Sequence, residues 1–217
     1  MNVIKSDFND RCETIKHLFQ HIEDMTLQPR SVKTVLILKS SLFVAVYNNI
    51  EATFYALFEK VHKEVNYSDY HALSQKMKKI FIEYHFSKIG NVNPQALKKL
   101  QDCELRFPQL VDYLNKKKLF SGNIDIRKAK EIFSLYGMSF FEFSQEVSDS
   151  ILTVKNKRNS IAHGEVTLLE ASSGFNNAKV KELVDNSMIV LSKLIDVVTV
   201  YIDEKKYLAV SKSKKLT

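Results

Sequence analysis

The side chains of this chain best suited to chemistry lie together at positions 154–165, which read VKNKRNSIAHGE. Arg158 is a permanent cation whose forked N–H donors match a phosphate, and His163 is a ring that can take up and release a proton near neutral pH. Asn159 and His163 are four residues apart, so on a helix they face one another. The amide can then hold one ring nitrogen and fix the tautomer of the other. Arg158 and His163 are five apart, which on a straight helix turns them about 140° from each other. Two arrangements could unite them: relaxation of the helix as it ends at Gly164, or a second copy of the same motif arriving across a two-fold axis. The bland alternative is a basic helix end with a capping histidine, because helix C-termini favour cations by about 0.3–1 kcal/mol.

The elements that must position these residues are helical. Five glycines and three prolines in 217 residues are too few for a strand-and-turn protein, while Leu, Lys, Glu, Ala and Ile recur at helical spacing. The expected fold class is all-α, a bundle around one long central helix. Ser6 or Asp7 is expected to cap a first helix running to about Met25, and Pro29 breaks it. A second helix, apolar on nearly every side, starts near Val32 and forms the spine. A third opens at Ser68 or Asp69 and ends at Gly90, followed by a short irregular or helical excursion from "NVNP". Two shorter helices begin at Pro108 and Asp125, separated by Ser121-Gly122-Asn123 and closed by Gly137. The motif helix runs from about Ser144 to His163, and after the polar "ASSGFNN" a last helix stripes Val180 to Tyr201. The expected organisation is an N-terminal helix over residues 1–30 packed on the bundle, one domain over 31–206, and a basic tail over 207–217.

The charge, +7 with a pI near 9.2, suits a polyanionic partner or equally a solvated lysine surface. Cys12 and Cys103 are far apart and form neither a disulfide framework nor a zinc knuckle, which fits a reducing cytoplasm. The first ten residues contain no apolar h-region, and polar residues from Lys39 to Glu51 interrupt the most apolar segment, so neither a signal peptide nor a membrane span is expected. Glu13, His17 and His21 recur every four residues but have no obvious matching pair, and no metal or other cofactor is expected. His62, His71 and His85 are isolated. There is no phosphate-binding glycine loop or nucleophile elbow.

Glu51 interrupts the apolar second helix, with Asn48 and Tyr55 on its face. A buried carboxylate needs a partner, and Arg158 is one candidate; a locally bonded Glu51 with no tie to Arg158 is the other. Lys155 and Lys157 flank the motif and are candidate ligands of the phosphates of a polyanion, or else part of a solvated face, as are the "KKK" at 116–118 and the terminal "SKSKK".

The pattern R-x-x-x-x-H followed by Gly-Glu, here "RNSIAHGE", resembles the signature of the HEPN superfamily of helical ribonucleases and nucleic-acid-associated domains. "LFSGNIDIRKAKEIFSLYGMSF" and "NNIEATFYALFEKVH" look like its bacterial MAE-type branch, and the likeness extends from about residue 30 to 205. The resemblance implies a metal-independent endoribonuclease that works as a homodimer with a composite cleft. Arg158 and His163 would be catalytic, with Asn159 matching the polar residue after the arginine. It also implies a toxin or antiviral effector with an antitoxin or defence-system partner protein, or a non-catalytic helical module that binds nucleotide, RNA or protein. Glu165 stands where some of these toxins carry a modified tyrosine, so that mode of control is not implied.

Overall fold

The scarcity of backbone breakers has its counterpart in long uninterrupted helices. The structure is a computed structural model that describes residues 1–86, 94–120 and 122–209. The helices are α1 (Asn2–Thr26), α2 (Val32–Asn66), α3 (Gln75–His85), α4 (Pro94–Gln101), α5 (Leu110–Lys116), α6 (Ile126–Tyr136), α7 (Gln145–Ala162), α8 (Leu168–Ala171) and α9 (Asn177–Asp203), with a 3-10 turn at Tyr70–Ala72. Among the described residues there is no strand, and a single antiparallel bridge joins Leu73 to Leu208. The fold is all-α. The helix stop expected at Gly90 and the tail residues from 210 onward lie outside the described residues.

The chain divides into two compact units. The first comprises Met1–Ala56, Phe120–Lys130 and Phe141–Ile195. In it, α1 buries Phe8, Cys12, Ile15, Phe19 and Ile22, a four-three spacing that places one apolar stripe along the helix. The stripe belongs to the same core as Leu42, Phe43, Val46, Ile50 and Phe54 of α2, Ile151 and Val154 of α7, and Val180 to Leu194 of α9. Polar ties fix the register: Arg11 donates to Asn49 Oδ1 at 2.8 Å, and Asn186 of α9 donates to Ser150 of α7 at 2.9 Å. Two side chains clip the segment after α8 to α2, since the Lys39 ammonium donates to the Phe175 carbonyl and Ser172, the C-cap of α8, to that of Leu36.

The second unit comprises Leu57–Leu119, Glu131–Phe140 and Asp196–Thr217. Its core is aromatic: Phe58 packs edge-on to Phe133 with centroids 5.7 Å apart, and Tyr201 donates to the Tyr136 carbonyl. Residues 207–209, assigned to the tail from sequence, are held here: Tyr207 is buried, its carbonyl accepts from the Ser74 N–H, and the Ala209 N–H donates to Ala72.

Several helix ends differ from expectation. α1 begins at Asn2, with no side-chain bond from its cap, rather than at Ser6 or Asp7. α3 opens at Ser74, whose hydroxyl accepts from the Met77 N–H, not at Ser68 or Asp69. By length and composition α2 could cross a membrane, but half of its most apolar window is buried inside the protein.

Candidate functional site

The motif helix α7 is started by Ser144, whose hydroxyl accepts from Val147 N–H, and is stopped by glycine. The Gly164 N–H bonds to the Ile161 carbonyl and the Glu165 N–H to that of Ser160, with Gly164 at φ +70°. This is a Schellman ending, in which glycine takes the left-handed position that a Cβ disfavours. His163 is therefore the C-cap residue, still right-handed at φ −86° and ψ −2°. The helix does not relax before the histidine, so the first of the two arrangements that could unite Arg158 and His163 is absent.

Arg158 lies on the inner side of α7. One terminal nitrogen, Nη2, pairs with Glu51 Oε2 at 3.3 Å, and both side chains keep about a quarter of their surface exposed, 25% and 26%. The other, Nη1, donates to Asn159 Oδ1 at 3.2 Å. The guanidinium carbon stands 5.0 Å from the centre of the Tyr47 ring, where the negative π face favours a cation. Two of the five guanidinium N–H groups are thus engaged, and the other three have no bond among the described residues. Glu51 meets Arg158 because Tyr47 and Glu51, four apart on α2, present one face to α7.

The chain just before α6 forms the third wall. Gly122, at φ +67°, passes so close that a Cβ there would sit 3.4 Å from Arg158 Nη1. Asn123 accepts from the Asn159 amide at 3.2 Å, and the Ile124 N–H donates to the Tyr47 hydroxyl at 2.9 Å. Burial pushes the Tyr47 phenol up to about 12, so it stays neutral. Asp125 accepts from the Lys128 N–H, which caps α6, and pairs with Lys155 at 2.7 Å with only 11% and 14% of the two side chains exposed. Burial raises the Asp125 carboxyl, but the Lys155 bond, the Lys128 N–H and nearby cations outweigh it and hold the group below the usual carboxylate range.

The candidates from sequence separate accordingly. Glu51 and Arg158 are brought together. Asn159 is turned to Arg158 and Asn123, and its link to His163 is the helical backbone bond at 2.9 Å rather than an amide–imidazole bond. His163 is exposed, with no side-chain bond among the described residues. Asn48 is likewise exposed and makes no side-chain hydrogen bond among them. Lys155 is committed to Asp125, and the Lys157 ammonium lies 5.1 Å from the Phe175 ring centre. Glu13 pairs with Lys16 rather than with a histidine, and no group of three or more His, Cys, Asp or Glu able to hold a metal gathers among the described residues.

Tyr47, Gly122, Asn123 and Asp125 are the residues that sequence reasoning passed over. The helix-face rule that singles out Asn48 and Tyr55 beside Glu51 also selects Tyr47, but a fully buried tyrosine in an apolar helix reads as core. Replacing Glu51 with glutamine is expected to lower stability by about 1 kcal/mol in urea titration, because the guanidinium loses its charge partner while remaining three-quarters buried.

A family model described as RiboL-PSP-HEPN matches residues 6–200. No curated protein and no solved structure gives a match.

Proposed function

Since the chain belongs to the RiboL-PSP-HEPN family, we propose that it is a metal-independent endoribonuclease whose catalytic pair is Arg158 and His163. The observation that carries this reading is the Arg158 guanidinium: held on one side by Glu51, Tyr47 and Asn159, it keeps three N–H donors for a phosphate at the helix end that bears an exposed imidazole. His163 removes the proton from the ribose 2′-hydroxyl, and the oxygen attacks the adjacent phosphorus. Arg158 holds the charge that grows on the pentacoordinate phosphorus, and the 5′-oxygen leaves with a proton from an imidazolium or water. The products are a 2′,3′-cyclic phosphate and a 5′-hydroxyl.

A homodimer completes the site in this reading, because one regular helix turns Arg158 and His163 apart. Gln145, Asp149, Leu152, Asn156 and His163 are exposed and recur at spacings of three, four and seven on one face of α7, which suits a second α7 laid alongside. The cell would then use the enzyme as a toxin or antiviral effector in the cytoplasm, restrained by a partner protein. The likeness of residues 119–140 to MAE-type proteins supports a place near that branch.

The second reading is a module that binds nucleotide or RNA without cutting. It is favoured by the Glu51 carboxylate, which offsets the Arg158 charge, and by the absence of an amide bond to His163. Purified protein is incubated with end-labelled RNA in excess chelator. The expected result is cleavage to cyclic-phosphate ends; RNA binding without cleavage overturns the nuclease in favour of the module.

A further inference from the structure

We propose that Asn159 and Tyr47 are positioning residues for Arg158, with Asn123 as the outer anchor of Asn159, so that the polar residue of the motif serves the arginine and not the histidine. Spacing alone pairs Asn159 with His163, but the side-chain bonds run the other way. The Asn159 carboxamide oxygen accepts from Arg158 Nη1 at 3.2 Å, and its nitrogen donates to Asn123 Oδ1 at 3.2 Å. An amide used at both ends in this way has a fixed orientation, and the orientation faces the guanidinium.

The guanidinium is then held by two hydrogen bonds and a ring contact. Glu51 pulls on Nη2, Asn159 on Nη1, the guanidinium carbon lies 5.0 Å from the centre of the Tyr47 ring, and a side chain at Gly122 would come into contact with Nη1. Tyr47 cannot drift, because its hydroxyl accepts the Ile124 N–H and its side chain is fully buried. The plane so fixed determines where the three remaining N–H groups point, and a phosphate must be met in that plane for bidentate contact. Asn123 is exposed, so its share is the smallest.

The inference rests on the RNA-cleaving reading for its kinetic consequence, but its geometry can be tested without activity. The Arg158 Nε–H signal in nitrogen-15 NMR, assigned from its loss in Arg158→Lys, is expected to shift or broaden in Asn159→Ala. The His163 ring signals should match wild type. Asn123→Asp, which keeps the acceptor for Asn159, is expected to leave the Arg158 signal in place, whereas Asn123→Ala moves it. In cleavage assays Asn159→Ala should lower kcat by about 10- to 100-fold, the scale expected for a misplaced catalytic group, with an unaltered pH–rate profile. Tyr47→Leu removes the ring against which Arg158 lies and is expected to shift the Arg158 signal as Asn159→Ala does. An unmoved Arg158 signal in Asn159→Ala overturns the proposal, and a shift of the His163 ring signals in its place assigns the amide to the histidine. Failure of the wild type to cut RNA refutes the nuclease alone, and the NMR comparison still decides the positioning role.

Discussion

His163→Ala is expected to lower the rate of RNA cleavage by about 10²- to 10⁴-fold, the usual contribution of a placed acid–base group. Its stability should stay within about 0.5 kcal/mol of wild type, as for most exposed substitutions. The separation follows from where the histidine sits. Its imidazole is exposed and bonds to nothing among the described residues, and its right-handed backbone is one that alanine adopts without strain. The Schellman bonds around it use backbone groups and survive the change. Arg158→Ala behaves differently. It leaves the Glu51 carboxylate, about one-quarter exposed, without its cation, and should cost about 1–2 kcal/mol in addition to the activity. Single-turnover cleavage and urea midpoints measured on the same preparations distinguish the two patterns. Cutting by His163→Ala at the wild-type rate would remove the histidine from the mechanism.

The second large effect concerns His62, far from the motif in sequence and part of the second unit. Its Nδ1 lies 2.8 Å from the Pro108 carbonyl, so it must carry the proton, and its Nε2 lies 2.7 Å from the Tyr136 hydroxyl, which donates to it. Phe107, Tyr113 and Tyr136 surround the ring. Burial lowers its pKa to about 4 from the ordinary 6.5, partly opposed by the Pro108 bond. Because the folded-state value is depressed, the unfolded chain binds the proton first as pH falls. Stability due to the neutral ring is complete above about pH 6.5 and is lost progressively toward pH 4, by about 3 kcal/mol in all. Urea midpoints at pH 7 and pH 4.5 should therefore differ more for wild type than for His62→Leu, which has nothing to protonate there. Equal pH dependence in the two proteins would show that the ring does not carry the effect.

Much of the helical layout was legible because it depends on local chemistry. Pro29 separates α1 from α2, Ser144 opens α7, and Gly137 and Gly164 close α6 and α7 with positive φ. The misplaced start of α3 shows where local reasoning stops. Ser68 and Asp69 are good caps by type, but the backbone of residues 72–74 is claimed by residues 207–209 through the two hydrogen bonds of one antiparallel bridge, and the helix waits for Ser74. No local rule reveals a partner more than 130 positions away. α8 is the opposite case: Thr167 and Glu170 form a capping box that the spacing T-x-x-E announces, in the short stretch between the motif helix and "ASSGFNN" to which no element is assigned from periodicity. At the site, residue types identified Glu51 as a candidate partner of Arg158. The turn of Asn159 away from His163 depended on Asn123, which arrives from another element.

The packing of α1 has a practical consequence for the two thiols. Cys12 is 6% exposed, its sulfur accepts from the Asn49 amide, and burial pushes its thiol up, away from the reactive thiolate. Cys103, at φ +56°, is only partly covered. An alkylating reagent meets these two at different times: the outer sulfur in the native protein, the inner one only when the N-terminal helix lifts from its seat. The mass added to the intact chain, followed over hours, is thus a clock for that opening, with its reference mark already built in.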